Sequence, residues 1–140
     1  MANIISFGQN SDAWKKILFN STTFKIKHDK NKIPDDIIGR ILDTITDIAN
    51  PKEKINCETP GTPHYKLKWF AVDNDEHYII FATIYCWKDM NLCFLLTKNA
   101  KGKPLVVEKI QGDLNFKEFK TVFINHDLKV GEWDSELYLD

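Results

Sequence analysis

The longest apolar stretch of the chain covers residues 77–87 and predicts a buried central β-strand. β-branched and aromatic side chains dominate it, and turn-forming segments flank it, which favours a strand over a helix. Successive side chains of a strand point to opposite faces, so Ile79 and Phe81 share one face while Ile80 and Ala82 share the other. Because both faces are apolar, we expect other elements to cover the sheet on both sides.

Apolar residues at helical spacing predict a core helix over residues 34–50. Pro34 suits the first helical position, Asp35 lies at the positive end of the helix dipole, and Pro51 follows the last turn. The apolar stripe is formed by Ile37, Ile38, Ile41, Leu42, Ile45, Ile48 and Ala49. Gly39 inside the helix costs about 1 kcal/mol relative to alanine, so we expect the helix backbone to approach the sheet closely there.

A shorter helix is predicted over residues 12–20, after a short strand over residues 3–8. Ser11 or Asp12 is its expected N-cap, because both side chains can accept a hydrogen bond from a free amide of the first turn. Its inward side chains, three and four residues apart, are Trp14, Ile17 and Leu18.

Alternation of apolar and polar residues predicts three more strands beside the central one. They cover residues 64–73, 92–98 and 104–110, with short polar turns between them. In the first of them one face carries Tyr65, Leu67, Trp69 and Ala71, and the other carries Lys66, Lys68, Phe70 and Val72. Consecutive short connections make an antiparallel meander the expected topology.

Three further segments have less regular patterns. Residues 21–32 predict an edge strand or a loop, residues 116–125 a helix or a bent strand, and residues 133–139 a last edge strand. No repeat or low-complexity segment divides residues 1–140, so a single domain is expected. The predicted fold is α+β: an antiparallel β-meander of about five to six strands with the two N-terminal helices packed on it.

The composition is that of an ordinary globular domain: 140 residues, 43% hydrophobic and 28% charged, with a net charge of -1. Without an excess of Lys and Arg, direct binding to nucleic acid is not expected. The N-terminus lacks a basic leader, and no apolar run reaches the roughly 18 residues that a membrane span needs. The chain has three cysteines, Cys57, Cys86 and Cys93, and none of them forms a C-x-x-C pair. This odd number without close pairs favours a location in the reducing cytoplasm.

Motifs for the common chemistries are absent: the chain contains no P-loop, dinucleotide-binding, zinc-protease or hydrolase signature. Its cysteines and histidines do not form the close pairs of a structural zinc site, so no metal and no cofactor is expected. Cys57 and His64 form the Cys–His pairing that we consider as a nucleophile and its base. Asp73, Asp75 and Glu76, in the loop before the central strand, are interpreted as turn residues.

The two ends of the chain carry opposite charge. Before Ile33 the charged residues are Lys15, Lys16, Lys25, Lys27, Lys30 and Lys32 against Asp12 and Asp29. After Asn125 they are Asp127, Glu132, Asp134, Glu136 and Asp140 against Lys129. Carboxylates among aromatic residues suit an interface with a basic protein, because charges steer association and a desolvated ring supplies affinity. The predicted partner-binding residues are Glu132, Trp133, Asp134, Glu136 and Tyr138. The alternative interpretation is a last edge strand with solvated acids.

A binding protein is therefore favoured over an enzyme. The leading hypothesis is a small cytoplasmic inhibitor of the bacterial immunity or antitoxin kind, which neutralises a cationic toxin, for example a nuclease, by covering its active site. A second hypothesis is a small enzyme or ligand-binding domain, with a pocket between the curved sheet and the helices lined by Tyr85, Trp87, Trp69 and His64. A third is a phage or mobile-element protein that interferes with a host defence.

Overall fold

The computed structural model describes residues 7–20, 23–49, 64–85, 90–98, 103–107, 110, 112–126 and 128–132. Its elements in chain order are α1 (Phe7–Asn20), β1 (Lys25–Lys27), a 3-10 helix (Lys30–Lys32), α2 (Asp35–Ala49), β2 (His64–Val72), β3 (His77–Tyr85), β4 (Met90–Thr97), β5 (Leu105–Val107), α3 (Phe116–Asn125) and β6 (Val130–Glu132). The strands form one antiparallel sheet in the order β1-β2-β3-β4-β5-β6. The predicted α+β meander is confirmed. Within these ranges no helix combines the length and apolar content of a membrane span.

Helix α2 covers one face of the sheet with its predicted apolar stripe. Ile37, Ile41 and Ile45 are buried. They share a core cluster with the sheet residues Phe70, Tyr78, Ile80, Ala82, Leu92, Phe94, Leu96 and Val106. Burying each isoleucine side chain contributes roughly 1.5–3 kcal/mol, so contact with the sheet supplies most of the stability of this helix.

Helices α1 and α3 together cover the other face. Trp14 and Leu18 of α1 and Phe119 and Phe123 of α3 are buried. They share a second core cluster with the sheet residues Trp69, Ala71, Ile79, Phe81, Cys93, Leu95, Val107 and Val130. The sheet is therefore the middle of three layers, and β3 is apolar on both faces, as its sequence predicted.

Strand β2 departs from regular alternation at Lys68. Its register with β3 shifts by one residue between Leu67, which is opposite Ala82, and Trp69, which is opposite Phe81. Lys68 is the extra residue of a β-bulge, so the side chains that follow it exchange faces. The α2 face consequently takes Tyr65, Leu67, Phe70 and Val72, and the other face takes Trp69 and Ala71. The prediction of strict alternation through this strand is wrong from Lys68 onward.

Helix α1 begins at Phe7, earlier than the predicted start at Asp12. Ser11 lies inside the helix and is buried, so it is not an N-cap. Because it precedes Trp14 by three residues, it lies on the same buried face of the helix. The prediction of a strand over residues 3–8 is wrong for residues 7 and 8, which are helical. Residues 3–6 lie outside the described residues.

Residues 116–125 form a helix, one of the two structures predicted for them. Asn115 caps it: its Oδ1 accepts the backbone N–H of Glu118 at 2.8 Å, and Oε1 of Glu118 accepts the backbone N–H of Asn115 at 3.0 Å. This capping box satisfies two backbone amides at the start of the helix. Phe119 and Phe123 of this helix are buried against the sheet.

The two outer strands of the sheet are short. β1 confirms an edge strand within residues 21–32, and all three of its side chains are exposed. β6 pairs with β5 and is a strand that the sequence did not predict at this place. The strand predicted over residues 133–139 lies outside the described part of the chain.

Gly39 has an open environment in α2. Among the described residues, a Cβ at this position would meet no atom within 4 Å. The close approach of the helix backbone to the sheet that we predicted from this glycine is therefore wrong. Packing in the described part of the molecule does not offset the cost of glycine in the helix interior.

The Gly39→Ala substitution should therefore stabilise the fold by about 0.5–1 kcal/mol, because alanine restricts the unfolded chain and meets no neighbour in the helix. Urea unfolding monitored by circular dichroism measures the change. Gly112→Ala is the matched control: the backbone φ of Gly112 is +85°, so a side chain there is strained and should destabilise the fold. A loss of stability in the Gly39 variant would contradict the open environment.

Candidate functional site

A groove opens between the second half of α1 and the β2–β3 hairpin. Its volume is about 390 Å³. It is lined by Lys16, Ile17, Asn20, Thr23, Asp73, Asp75 and His77. The groove thus brings several polar groups together on one concave surface: two carboxylates, an imidazole, an ammonium group and an amide. This makes it the candidate site for a ligand.

Asp73 builds the turn between β2 and β3. Its Oδ1 accepts hydrogen bonds from the backbone N–H groups of Asp75 at 3.1 Å and His77 at 2.8 Å. Its Oδ2 lies 2.8 Å from Nδ1 of His77. The Asp73 side chain is only 3% exposed, and three donors compensate for the burial of its charge. The turn interpretation of this residue is therefore right, although the carboxylate is buried rather than solvated.

Glu76 occupies the left-handed backbone region in the same loop, with φ at 61°. For a residue with a side chain this conformation costs roughly 1–2 kcal/mol. Lys98, directly after β4, contacts Glu76 at two atoms: its backbone N–H donates to the Glu76 carbonyl at 3.1 Å, and its Nζ lies 3.1 Å from Oε1. The hydrogen bond and the charge of Glu76 raise the pKa of Lys98. The end of β4 thereby helps to hold the hairpin loop in its conformation.

The Asp73 carboxylate fixes the orientation of the His77 ring. A carboxylate can only accept a hydrogen bond, so Nδ1 of His77 carries a proton and donates it. In the neutral imidazole Nε2 is then the unprotonated nitrogen. The indole ring of Trp14 stands edge-on to the imidazole, with ring centroids 5.6 Å apart and an interplanar angle of 79°. The ring is thus restrained by a hydrogen bond on one atom and by an aromatic contact.

This arrangement gives His77 the form of an oriented base or ligand. A carboxylate that accepts the Nδ1–H of a histidine is the pairing that orients catalytic bases and metal-binding imidazoles. Potential ligand atoms of Asp73, Asp75 and His77 lie within 4.8 Å of one another. Lys16 lines the same groove and offers an ammonium group to an anionic part of a ligand.

Sequence reasoning did not identify His77 as a site residue. The available signal was the spacing of Asp73, Asp75 and His77 at alternate positions across a hairpin loop. That spacing also fits ordinary turn chemistry. The contribution of α1 to the groove depends on tertiary packing and leaves no trace in a local pattern.

Of the predicted partner-binding residues, Glu132 is described by the structure. It is exposed at the last position of β6, whereas Val130 and Gly131 before it are buried. Its cross-strand neighbour is Leu105 of β5. The remaining predicted residues, Trp133, Asp134, Glu136 and Tyr138, lie outside the described residues.

Two residues that we considered for chemistry belong to the core. Cys93 is fully buried in β4, and burial raises the pKa of its thiol well above the usual range, which disfavours the reactive thiolate. Trp69 stacks on Phe81 with ring centroids 5.4 Å apart, and its Nε1–H donates to the carbonyl of Leu114 at 2.7 Å. Outside the described part lie Cys57, Cys86 and Trp87, and the side chains of His64 and Tyr85.

Comparison of the chain with protein-family models, with curated proteins and with solved structures found no match. Its function is therefore inferred from its own residues and their geometry.

The Asp73→Asn substitution should destabilise the fold by about 1.5–3 kcal/mol, the range for a hydrogen bond to a charged group. The reason is that an amide offers one acceptor oxygen where the carboxylate offers two. Calorimetric unfolding measures the loss, and ¹⁵N chemical shifts of the His77 ring report its tautomer. Asp75→Asn is the matched control, since the exposed Asp75 side chain accepts none of the turn bonds and should change stability by less than about 0.5 kcal/mol. Equal stability of the two variants would contradict the role assigned to Asp73.

Proposed function

We propose that this protein is a small binding protein that neutralises a basic protein partner through its acidic C-terminal edge. The classes that fit are the bacterial immunity proteins and antitoxins, which cover the active site of a cationic toxin such as a nuclease. The cysteine content without C-x-x-C spacing supports a cytoplasmic setting for this activity. A phage or mobile-element protein that blocks a host defence would use the same physical interaction.

The observation that carries this proposal is the exposure of Glu132 at the outer edge of the sheet. β6 is the last strand in the sheet order, and its buried residues Val130 and Gly131 anchor it against β5. The acidic sequence therefore begins at the surface, with Asp134 and Glu136 following Glu132 in the chain. A carboxylate in the position of Glu132 attracts a cationic partner from beyond contact distance.

The layered architecture supports recognition at an edge of the sheet. α2 covers one face, and α1 with α3 covers the other. A partner that pairs with the sheet must therefore approach along an outer strand. An inhibitor that binds through an edge strand does not have to rearrange its own core. The entropic cost of ordering the protein on binding is therefore low.

Two groups of reactive types, the Cys93 thiol and the Asp73 carboxylate, have structural roles in the described part of the chain. The Cys93 thiol is enclosed in the core. Both oxygens of Asp73 accept hydrogen bonds that hold the hairpin. Neither group is free to act as a nucleophile without loss of structure.

A second candidate function, ligand binding or catalysis in the groove, is favoured by the Asp73–His77 pair. The buried carboxylate holds Nδ1 of His77, so Nε2 is the ring nitrogen that remains for a ligand. Asp75 and Lys16 line the same groove and supply charges of both signs. Such a site would lie at the β2–β3 hairpin and not among the aromatic residues proposed from the sequence.

Reversal of Glu132, Asp134 and Glu136 to lysine should slow association with the basic partner. The effect should be largest at low salt, where the Debye length is about 30 Å at 0.01 M rather than about 10 Å at 0.1 M. Trp133→Ala should instead speed dissociation, by roughly 2 kcal/mol or more for a binding hot spot. Affinity capture from a native lysate identifies the partner, and surface plasmon resonance measures both rates.

The matched control reverses the charge of Asp12 and Asp43, which are exposed acids on α1 and α2. For each charge reversed, the association rate of this control should change much less than that of the triple variant. Near-ultraviolet circular dichroism establishes that each variant is folded. An unchanged rate and salt dependence in the folded triple variant would place the interface elsewhere.

The groove is tested separately with Zn²⁺ as the probe, because it binds neutral imidazole and carboxylate ligands. Binding to the native state should raise the free energy of unfolding by about 2.7 kcal/mol at a hundredfold excess over the dissociation constant. The gain should be lost in His77→Gln and kept in His28→Gln, which removes an exposed histidine. Equal gains in the two variants, or no gain in the wild type, would count against a ligand site at His77.

A further inference from the structure

Among the described residues, the first strand of the sheet has a neighbouring strand on one side only. β1 is first in the strand order and pairs with β2. All three of its side chains are exposed. An edge strand directs part of its backbone N–H and C=O groups away from its neighbour, so it can bind an extended segment of another protein by strand addition.

The side chains of β1 differ between the two faces of the sheet. Ile26 lies opposite Ala71 and therefore on the face covered by α1 and α3. Lys25 and Lys27 lie on the α2 face, where their cross-strand neighbours on β2 pack. Residues directly opposite one another in adjacent strands share a face, so an added strand would place one side chain beside Ile26 and one beside each lysine.

These positions define the chemistry of the strand that fits. Ile26 is 48% exposed, so an apolar side chain beside it would remove apolar surface from water. A carboxylate beside Lys25 and another beside Lys27 would form cross-strand pairs of opposite charge. The segment that fits therefore has an apolar residue between two acids.

The surroundings of β1 also favour an acidic partner. Every residue from Lys25 to Lys32 is exposed, and this segment carries four lysines and one acid. The acid, Asp29, accepts the backbone N–H of Asn31 at 2.9 Å and begins the 3-10 helix. Within the described part of the chain, neither Lys25 nor Lys27 forms an ion pair. Their ammonium groups can therefore pair with the carboxylates of a partner.

A second copy of β1 does not fit this edge. In an antiparallel pair of two β1 strands centred on Ile26, Lys25 of each copy would lie opposite Lys27 of the other. Like charges directly opposite one another in a strand pair are unfavourable. The lysines thus disfavour self-pairing of β1 and leave an acidic strand as the occupant.

We propose that β1 binds an extended acidic segment of a partner protein by strand addition, with an apolar residue of that segment on Ile26 and acids beside Lys25 and Lys27. This surface lies at the first strand of the sheet, whereas Glu132 lies on the last. It does not depend on the basic partner proposed above. Because β1 has three residues, few backbone pairs form, and the contact is weak and reversible.

Nuclear magnetic resonance titration of the full chain with synthetic peptides, up to millimolar peptide, tests this surface. The probe peptide alternates glutamate and valine, and the control peptide has the same composition with its glutamates in one block. The alternating peptide should shift the β1 amide signals, slow their hydrogen exchange and bind more tightly than the block peptide. Methylation of its backbone nitrogens keeps the charges but removes the donors, and should weaken binding about tenfold.

The charge of β1 is tested with Lys25→Glu combined with Lys27→Glu. This variant should bind the glutamate peptide about tenfold more weakly and should gain binding of a peptide in which lysine replaces glutamate. The matched control is Lys30→Glu with Lys32→Glu, which makes the same change of charge on the neighbouring 3-10 helix. At 0.1 M salt it should keep the affinity within about threefold of the wild type. If circular dichroism shows that the β1 variant is unfolded, Lys25→Gln with Lys27→Gln replaces it, with loss of binding expected.

Equal binding of the alternating and block peptides, or of the methylated and unmethylated forms, would show attraction of charge without strand addition and would overturn the proposal. Absence of binding at millimolar peptide would overturn it too, as would a control variant that loses binding as fully as the β1 variant. Binding of a DNA duplex in place of the peptide, lost in the Lys25 and Lys27 variant, would identify β1 as a nucleic-acid surface and would likewise overturn it.

Discussion

Shielding of β3 from water on both faces is the constraint on which the rest of the structure depends. Its side chains alternate between two separate apolar clusters, and each cluster needs its own cover. α2 supplies one cover, and α1 with α3 supplies the other. Displacement of any helix for function would expose apolar surface at roughly 25 cal/mol per Å². Recognition is therefore left to the parts of the molecule that the core does not occupy: the edges of the sheet and the loops at the ends of its strands.

The β2–β3 hairpin combines a structural and a chemical role in one carboxylate. Asp73 closes the turn by accepting two backbone amides, and with its second oxygen it orients the ring of His77. Any ligand that meets Nε2 of His77 would find the ring already in place, which lowers the ordering cost of binding. The strain at Glu76, held by Lys98, is part of the same loop. The hairpin's stability and the order of the groove are thus coupled, and a change at Asp73 acts on both.

The elements with long periodic patterns were predictable from the sequence, and those set by tertiary contacts were not. The isoleucine stripe of α2 and the two apolar faces of β3 repeat often enough to fix their type and burial. The bulge at Lys68 leaves no such signal, because Trp69 and Phe70 are both apolar and either could face either side. The early start of α1 places Ser11 in the interior of the helix, in packing that a local pattern does not contain. His77 became a site residue because α1 lies beside the hairpin, and its neighbours in sequence give no indication of that contact.

The opposite charges of the two sheet edges have a physical meaning beyond solubility. Lysines on an edge strand protect it from a second identical edge, since like charges would lie next to one another. That protection fails against an acidic strand, and Glu132 is exposed at the other edge of this sheet. The short length of β1 then limits how strongly a partner strand can join it, because few backbone pairs form and exposed charges are screened by salt. An edge of this design suits reversible, salt-sensitive recognition of a strand of the opposite charge.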